Sequence, residues 1–342
     1  MRIGVLTGGG DCPGLNAVIR AIVRKGVGVL GHEIVGFRDG WGGVIEDRGD
    51  PLTLESVAGI LHRGGTILGS SGTNPYLVDG GVERIEATIS ARGLDGFIAI
   101  GGEGTLGAAD KLAAGGVPVV GIPKTIDNDL AGNDFTIGFH TAVQVATDAI
   151  DRLHSTAESH DRVILVEVMG RHAGWIALYA GVSGGADVIV IPEHPFDIEE
   201  VCRHLRHRHM SRSSFSIVVV AEGAVPSDGT FELPDYELDA NGFPRLGGIA
   251  QAIAPEIEKR TGYQTRVTIL GHVQRGGSPV AFDRMLATRL GLASVDLATA
   301  GGWGRMVALR GDEIADISLA HAVATRKVVP ESLYRAAEVF FG

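Results

Sequence analysis

The sequence predicts an α/β fold of two lobes, each a mainly parallel sheet with helices on both faces. Three observations carry the prediction. Short apolar runs recur along the chain, each ending in a glycine-rich or polar loop that leads into a segment with helical spacing. The length of 342 residues suits two such lobes and supports a large core. The 51 glycines, about twice the usual share, cluster after those apolar runs and mark tight loops, not low complexity.

The elements follow in order. A strand at residues 2–7 runs into Gly8-Gly9-Gly10-Asp11-Cys12-Pro13-Gly14. A helix over residues 16–29 follows, with Leu15, Val18, Ile19, Ile22 and Val23 on one face. A second unit has a strand at 96–100, the loop Gly101-Gly102-Glu103-Gly104-Thr105 and a helix over 106–114. A third strand, 117–122, ends in Pro123-Lys124-Thr125-Ile126-Asp127-Asn128-Asp129. Beyond it, helices are expected at 141–155, from Trp175, at 197–210 and at 248–260. Strands are expected at 162–168, 188–191, 216–221 and 264–270. Residues 225–244 are polar, rich in Pro, Gly and Asp, and read as a long surface loop or hairpin.

Charge excludes some partners. Thirty basic against 41 acidic residues give −11, which argues against nucleic acid or an anionic membrane surface. A phosphate-bearing ligand must then be met by local basic clusters and backbone N–H groups. Cys12 and Cys202 allow at most one disulfide, and a reduced cytoplasmic setting is expected. The first ten residues are too short an apolar run for a signal peptide. No stretch approaches a membrane helix, so a soluble protein is expected.

Three strand-end loops carry the chemistry, because open α/β sheets bind ligands there. Gly8 to Gly14 can bring backbone N–H groups close to an anion at a helix start, or be a tight turn without a ligand. Residues 102–107 match a G-x-G-x-x-G pattern, which alone would suggest a dinucleotide and an oxidoreductase. The next strand, however, ends at Lys124 and not at an acidic residue. Glu103 fits better as a carboxylate near Mg²⁺. The third loop sets Asp127 and Asp129 two residues apart, either as turn residues or as an acid–base pair. Lys124 and Thr125 just upstream favour a kinase-like reaction. Arg162, Arg171, Arg266, His272 and Arg275 fall at strand ends or in glycine-rich loops and suit a phosphate-bearing substrate. The run 203–209, rich in Arg and His, reads as a solvated helix face without a metal set.

With these loops in place the chain resembles the 6-phosphofructokinase family over nearly its whole length. The resemblance lies in Gly8 to Ala17, Gly101 to Thr105, Pro123 to Asp129, Met169-Gly170-Arg171 and Gly271 to Ser278. It implies a phosphofructokinase-like pair of similar three-layer lobes. Residues 1–138 with about 274–324 would form the phosphoryl-donor lobe, and about 139–273 with 325–342 the sugar-phosphate lobe. It also implies Mg²⁺ and transfer to the 1-hydroxyl of fructose 6-phosphate. Position by position, Asp127 resembles the base, flanked by Thr125 and Asp129 at the sugar end, with Lys124 among the catalytic residues. Gly10 resembles the residue whose N–H meets the transferring phosphoryl group, with Arg171 near that group. Gly102, Glu103, Gly104 and Thr105 match donor contacts, and Glu103 stands where a metal-side Asp is usual. Met169, Gly170, Glu222, His272 and Arg275 match sugar-phosphate contacts. Arg162 and Arg266 match arginines from a neighbouring subunit, which implies a homo-oligomer, dimer or tetramer.

The resemblance points two ways on the donor. Pyrophosphate users carry a second Asp where Gly104 stands, so Gly104 leaves room for ATP, whereas Lys124 is typical of pyrophosphate users. Members of actinobacterial type combine the two, and ATP is the expected donor. Gly72 stands where an arginine usually bridges donor and sugar phosphates, which leaves open a catalytically impaired regulatory subunit. Effector-site basic residues are matched only in part, by Arg20 and Arg24.

Overall fold

The computed structural model describes residues 1–210, 215–230 and 247–342. Most of the predicted loop at 225–244 lies outside the described residues. In chain order the elements begin with β1 (Arg2–Thr7), α1 (Leu15–Gly26), β2 (Glu33–Phe37), α2 (Trp41–Ile45) and β3 (Gly49–Leu52). Next come α3 (Gly81–Arg92), β4 (Gly96–Gly101), α4 (Glu103–Ala114), β5 (Val119–Pro123) and α5 (Phe139–Ser159). Then follow β6 (Val163–Val168), α6 (Trp175–Ser183), β7 (Val188–Val190), α7 (Ile198–Met210), β8 (Ser216–Ala221), α8 (Ile249–Thr261) and β9 (Thr265–Ile269). The last are α9 (Ala281–Thr299), β10 (Arg305–Arg310), β11 (Glu313–Ser318), α10 (Leu319–Ala324) and α11 (Glu331–Glu338).

The chain divides into two units, Met1–Thr141 with Arg275–Lys327 and Ala142–Gln274 with Val328–Gly342. The first unit thus takes in residues 139–141 and 325–327, which the sequence reading gave to the other lobe, and Gln274 goes to the second. The first unit holds a seven-stranded sheet in the order β11-β10-β5-β4-β1-β2-β3. Its central strands pair in parallel, and β3 and β11 are antiparallel edges. The central strands are buried along nearly their whole length, which is why their sequences are apolar without alternation. Phe97 on β4 packs edge-on against Phe37 and Trp41, each ring pair 5.8 Å apart. Burying each such side chain is worth about 1.5–3 kcal/mol. The second unit holds a parallel sheet in the order β7-β8-β6-β9. Its core joins Val163 and Leu165 to Val218, Val220, Ile253 and Ile257.

Register places the loops. Thr7 pairs with Ile100, and Ile100 with Ile122, so β1, β4 and β5 end side by side. The three loops singled out in the sequence therefore share one edge of the first sheet. Helix α4 begins at Glu103, three residues before the predicted start, because Gly102 takes the N-cap position in extended backbone. Glu103, Gly104 and Thr105 form its first turn. Cys12 and Cys202 are both free and buried. Among the described residues no helix is long and apolar enough to cross a membrane.

Candidate active site

At the glycine loop, most of the backbone is committed to the fold. Gly8 N–H donates to Ile100 O and Gly9 N–H to Ser71 O, both at 2.9 Å. Gly10 and Asp11 form the exposed tip, and among the described residues none accepts from the Gly10 N–H. Lys124, at the end of β5, reaches beneath this tip and is 2 % exposed. Its Nζ donates to Gly8 O at 2.9 Å and to Gly10 O. Burial holds its pKa below the usual lysine value, against the pull of Cys12, Asp11 and Asp127. Burial also pushes the neighbouring Cys12 thiol up to about 12. Arg275 lies against the tip: a Cβ on Gly10 would sit 2.6 Å from its Nη1.

A Cβ on Gly8 or Gly101 would fall 2.5 or 2.3 Å from Thr105 side-chain atoms. Thr105 is thus a buried packing residue under the loop, while its carbonyl accepts from Trp41 Nε1 at 3.2 Å. The first turn of α1 is buried from Leu15 to Val18, so the helix start is not open to an anion. What stays open at this loop is the exposed Gly10–Asp11 tip, with Arg275 against it.

The acidic loop is built differently. From Thr125 to Leu130 burial alternates, with Thr125, Asp127 and Asp129 partly exposed and Ile126, Asn128 and Leu130 buried. Asn128 has φ +53, a left-handed conformation that asparagine tolerates better than most residues. Its Oδ1 accepts from Thr136 N–H at 3.1 Å, and Thr136 Oγ1 donates to Thr125 O at 2.6 Å. Thr125 Oγ1 accepts from Asp127 N–H at 3.1 Å. Asn128 and Thr136, which sequence reasoning missed, thus frame the turn that presents the two carboxylates. Burial and then the charge of Asp127 push Asp129 up to about 7.

Glu103, expected as a carboxylate near Mg²⁺, is paired with Arg326. Arg326 meets it with Nε 3.0 Å from Oε2 and Nη2 2.8 Å from Oε2 and 3.2 Å from Oε1. The segment carrying Arg326 is pinned to the acidic loop by a bridge between Leu130 and Arg326 and by Lys327 N–H donating to Asp129 O at 2.9 Å. Glu103, Asp129 and Arg326 line a cavity of about 140 Å³. Among the described residues no three His, Cys, Asp or Glu side chains converge as a metal cluster. Two carboxylates in one cavity still fit Mg²⁺, which takes its remaining ligands from phosphate and water. Arg326 stands as a cation in that seat. The N-cap of α4 carries no side-chain cap, and a Cβ on exposed Gly104 would meet nothing within 4 Å. The same holds for a Cβ at Gly72.

In the second unit, register brings other predicted residues together. Val168 pairs with Ala221, and Glu167 with Ile269, so β6, β8 and β9 end in line. Met169, Gly170 and Arg171 follow β6, Glu222 follows β8, and His272 lies in the turn after β9. Buried Gln274 ties that turn to β6 by accepting from Met169 N–H at 3.3 Å. A Cβ on Gly223 would collide with Arg171 O at 1.9 Å, which shows how closely the β6 and β8 loops approach. Arg162 and Arg266 lie at the opposite, amino ends of β6 and β9 and do not join this group. The five basic residues therefore form no single cluster. In α7 the predicted solvated face is partly covered: His204 lies edge-on to Phe341 at 5.8 Å, and His207 Nδ1 is 3.2 Å from Gly342 O.

The family profile described as phosphofructokinase matches residues 2–298. The chain belongs to the phosphofructokinase family. A relative in Amycolatopsis methanolica, named pyrophosphate--fructose 6-phosphate 1-phosphotransferase, is 58 % identical over 342 residues, all of both chains. A relative in Streptomyces coelicolor, named ATP-dependent 6-phosphofructokinase 3, is 54 % identical and matches 99 % of each chain. The solved phosphofructokinase of Saccharomyces cerevisiae superimposes with a TM-score of 0.81 at 30 % identity. That match covers 99 % of this chain and 47 % of the yeast chain, so the protein spans about half of it. Overall identity does not separate the donors, since relatives named for each lie within four points of one another (58 against 54 %).

Proposed function

We propose that this phosphofructokinase is ATP-dependent and transfers the γ-phosphoryl group of ATP to the 1-hydroxyl of fructose 6-phosphate, giving fructose 1,6-bisphosphate in glycolysis. The observation that carries the choice of donor is Gly104. It lies in the first turn of a helix whose N-terminus has no side-chain cap, and nothing fills the space a side chain would take. A helix start of this kind favours phosphate, and the missing side chain leaves room for the nucleotide.

In this reading Asp127 accepts the proton of the sugar hydroxyl as it attacks, held in place by the Asn128–Thr136 frame. The Gly10 N–H and Arg275 receive the transferring group, whose charge they offset. Glu103 and Asp129 would hold Mg²⁺, which neutralises charge on the donor phosphates. Met169, Gly170, Arg171, Glu222 and His272 bind the sugar phosphate. Arg162 and exposed Arg266 serve the site of a second copy, so the enzyme is a cytoplasmic homo-oligomer.

The pyrophosphate reading is favoured by the 58 % relative and by Lys124. Lys124, however, is accounted for by the carbonyls of Gly8 and Gly10 beneath the loop. A coupled assay with fructose 6-phosphate and each donor tests the proposal. Turnover with ATP supports it, and turnover with pyrophosphate alone moves the enzyme to the second reading. Turnover with neither makes the protein an impaired family member, with Gly72 as the residue to restore to arginine.

A further inference from the structure

We propose that Arg326 is an internal counter-cation that occupies the divalent-cation seat at Glu103 and gives it up when the metal binds, so that it sets the metal affinity of the site. The inference rests on the functional reading above, which assigns Mg²⁺ to Glu103 and Asp129. The guanidinium engages both carboxylate oxygens of Glu103, the fork geometry that arginine offers and lysine does not. Glu103 and Asp129 line one cavity with Arg326, and the charges of Asp127 and Glu103 both act on Asp129, so a positive charge is favoured there. Lys327 next to it donates to Asp134 O and lies 5.6 Å from the centre of the Phe135 ring, while its charge also acts on Asp129; the fork on Glu103 is made by Arg326.

The arrangement is also built to let go. The main chain at residues 326–327 is fixed by its pairing with Leu130 and Asp129. The Arg326 side chain is 42 % exposed, and Glu103 is 47 % exposed. The head group can therefore swing into solvent while the acidic loop keeps its shape. A guanidinium and a divalent ion cannot share one carboxylate at short range without strong repulsion. Their repulsion on one carboxylate favours release of the arginine as the metal enters.

The test is Mn²⁺ binding followed by electron paramagnetic resonance, with the full chain and no sugar or phosphoryl donor. Four proteins are compared: wild type, Arg326→Gln, Glu103→Gln and the double variant, each checked for fold by circular dichroism. Arg326→Gln should bind Mn²⁺ roughly tenfold more tightly, because one like charge is gone from the seat. In the Glu103→Gln background the same change should alter affinity by less than about twofold. Arg326→Lys, which keeps the charge but loses the fork, should fall between wild type and Arg326→Gln. Unchanged or weaker binding by Arg326→Gln overturns the proposal, as does an equal gain in both backgrounds or no Mn²⁺ binding by any of the proteins. A wild type that turns over neither donor yet shows the Glu103-dependent gain retires the functional reading and keeps this inference. Turnover with ATP and no gain does the reverse.

Discussion

Two cations serve the first unit in opposite ways. Lys124 is fully buried, and its ammonium is spent on the carbonyls of Gly8 and Gly10, so it shapes the glycine loop from beneath. Arg326 is about half exposed and paired with a carboxylate, so its contact is exchangeable. A charge that holds backbone in a dry interior is part of the scaffold, because removing it strands buried polar atoms. A charge at the rim that faces another charge costs little to move. The first cation shapes the loop, and the second faces a carboxylate that it can leave.

That contrast can be broken at three places. Asp127→Asn should have the largest effect, lowering kcat by about 10²–10⁴-fold with little change in stability, since it removes a general base. A loss within tenfold in a steady-state assay would mean that Asp127 is not the base. Lys124→Met comes next, and should lower the free energy of unfolding by about 1–3 kcal/mol by leaving the two carbonyls unsatisfied. A second readout is Cys12, whose buried thiol, pushed up to about 12, should resist a thiol reagent at pH 8 in the wild type. In Lys124→Met it should become reactive only through loosened packing that admits the reagent, since losing the lysine charge by itself pushes the thiol higher. A variant as stable and as protected as the wild type would show that Lys124 is no strut. Arg326→Gln should change unfolding by less than about 1 kcal/mol in denaturant titration, as for other exposed pairs. A larger loss would make Arg326 a structural residue too, and the contrast would fail.

The sequence exposed one of these cations better than the other. Lys124 stands beside Asp127 in a contiguous run at a strand end, so its place could be read directly. Its role could not, because nothing local shows that the ammonium turns under a loop 114 residues away. Arg326 lies 223 residues from Glu103 and was given to the other lobe, so no spacing could pair them. Asn128 offered a missed signal, since asparagine between two aspartates suits a left-handed turn. The start of α4 was misplaced because Gly102 and Gly104 read as loop, although Gly102 is an N-cap. Most buried strands were legible from unbroken apolar runs, but β2 and β10, also largely buried, went unread because each run is short and flanked by charged residues. The edges β3 and β11 carry exposed polar residues and offered no such run.

The proposed preference for ATP rests on Gly104. The decisive measurement is kcat/KM for ATP and for pyrophosphate, with saturating fructose 6-phosphate, in the wild type and in Gly104→Asp. The wild type should prefer ATP, and Gly104→Asp should lose at least about tenfold in kcat/KM for ATP while pyrophosphate use holds or rises. A wild type that uses pyrophosphate in preference to ATP, or a Gly104→Asp variant that keeps its ATP activity, would contradict it.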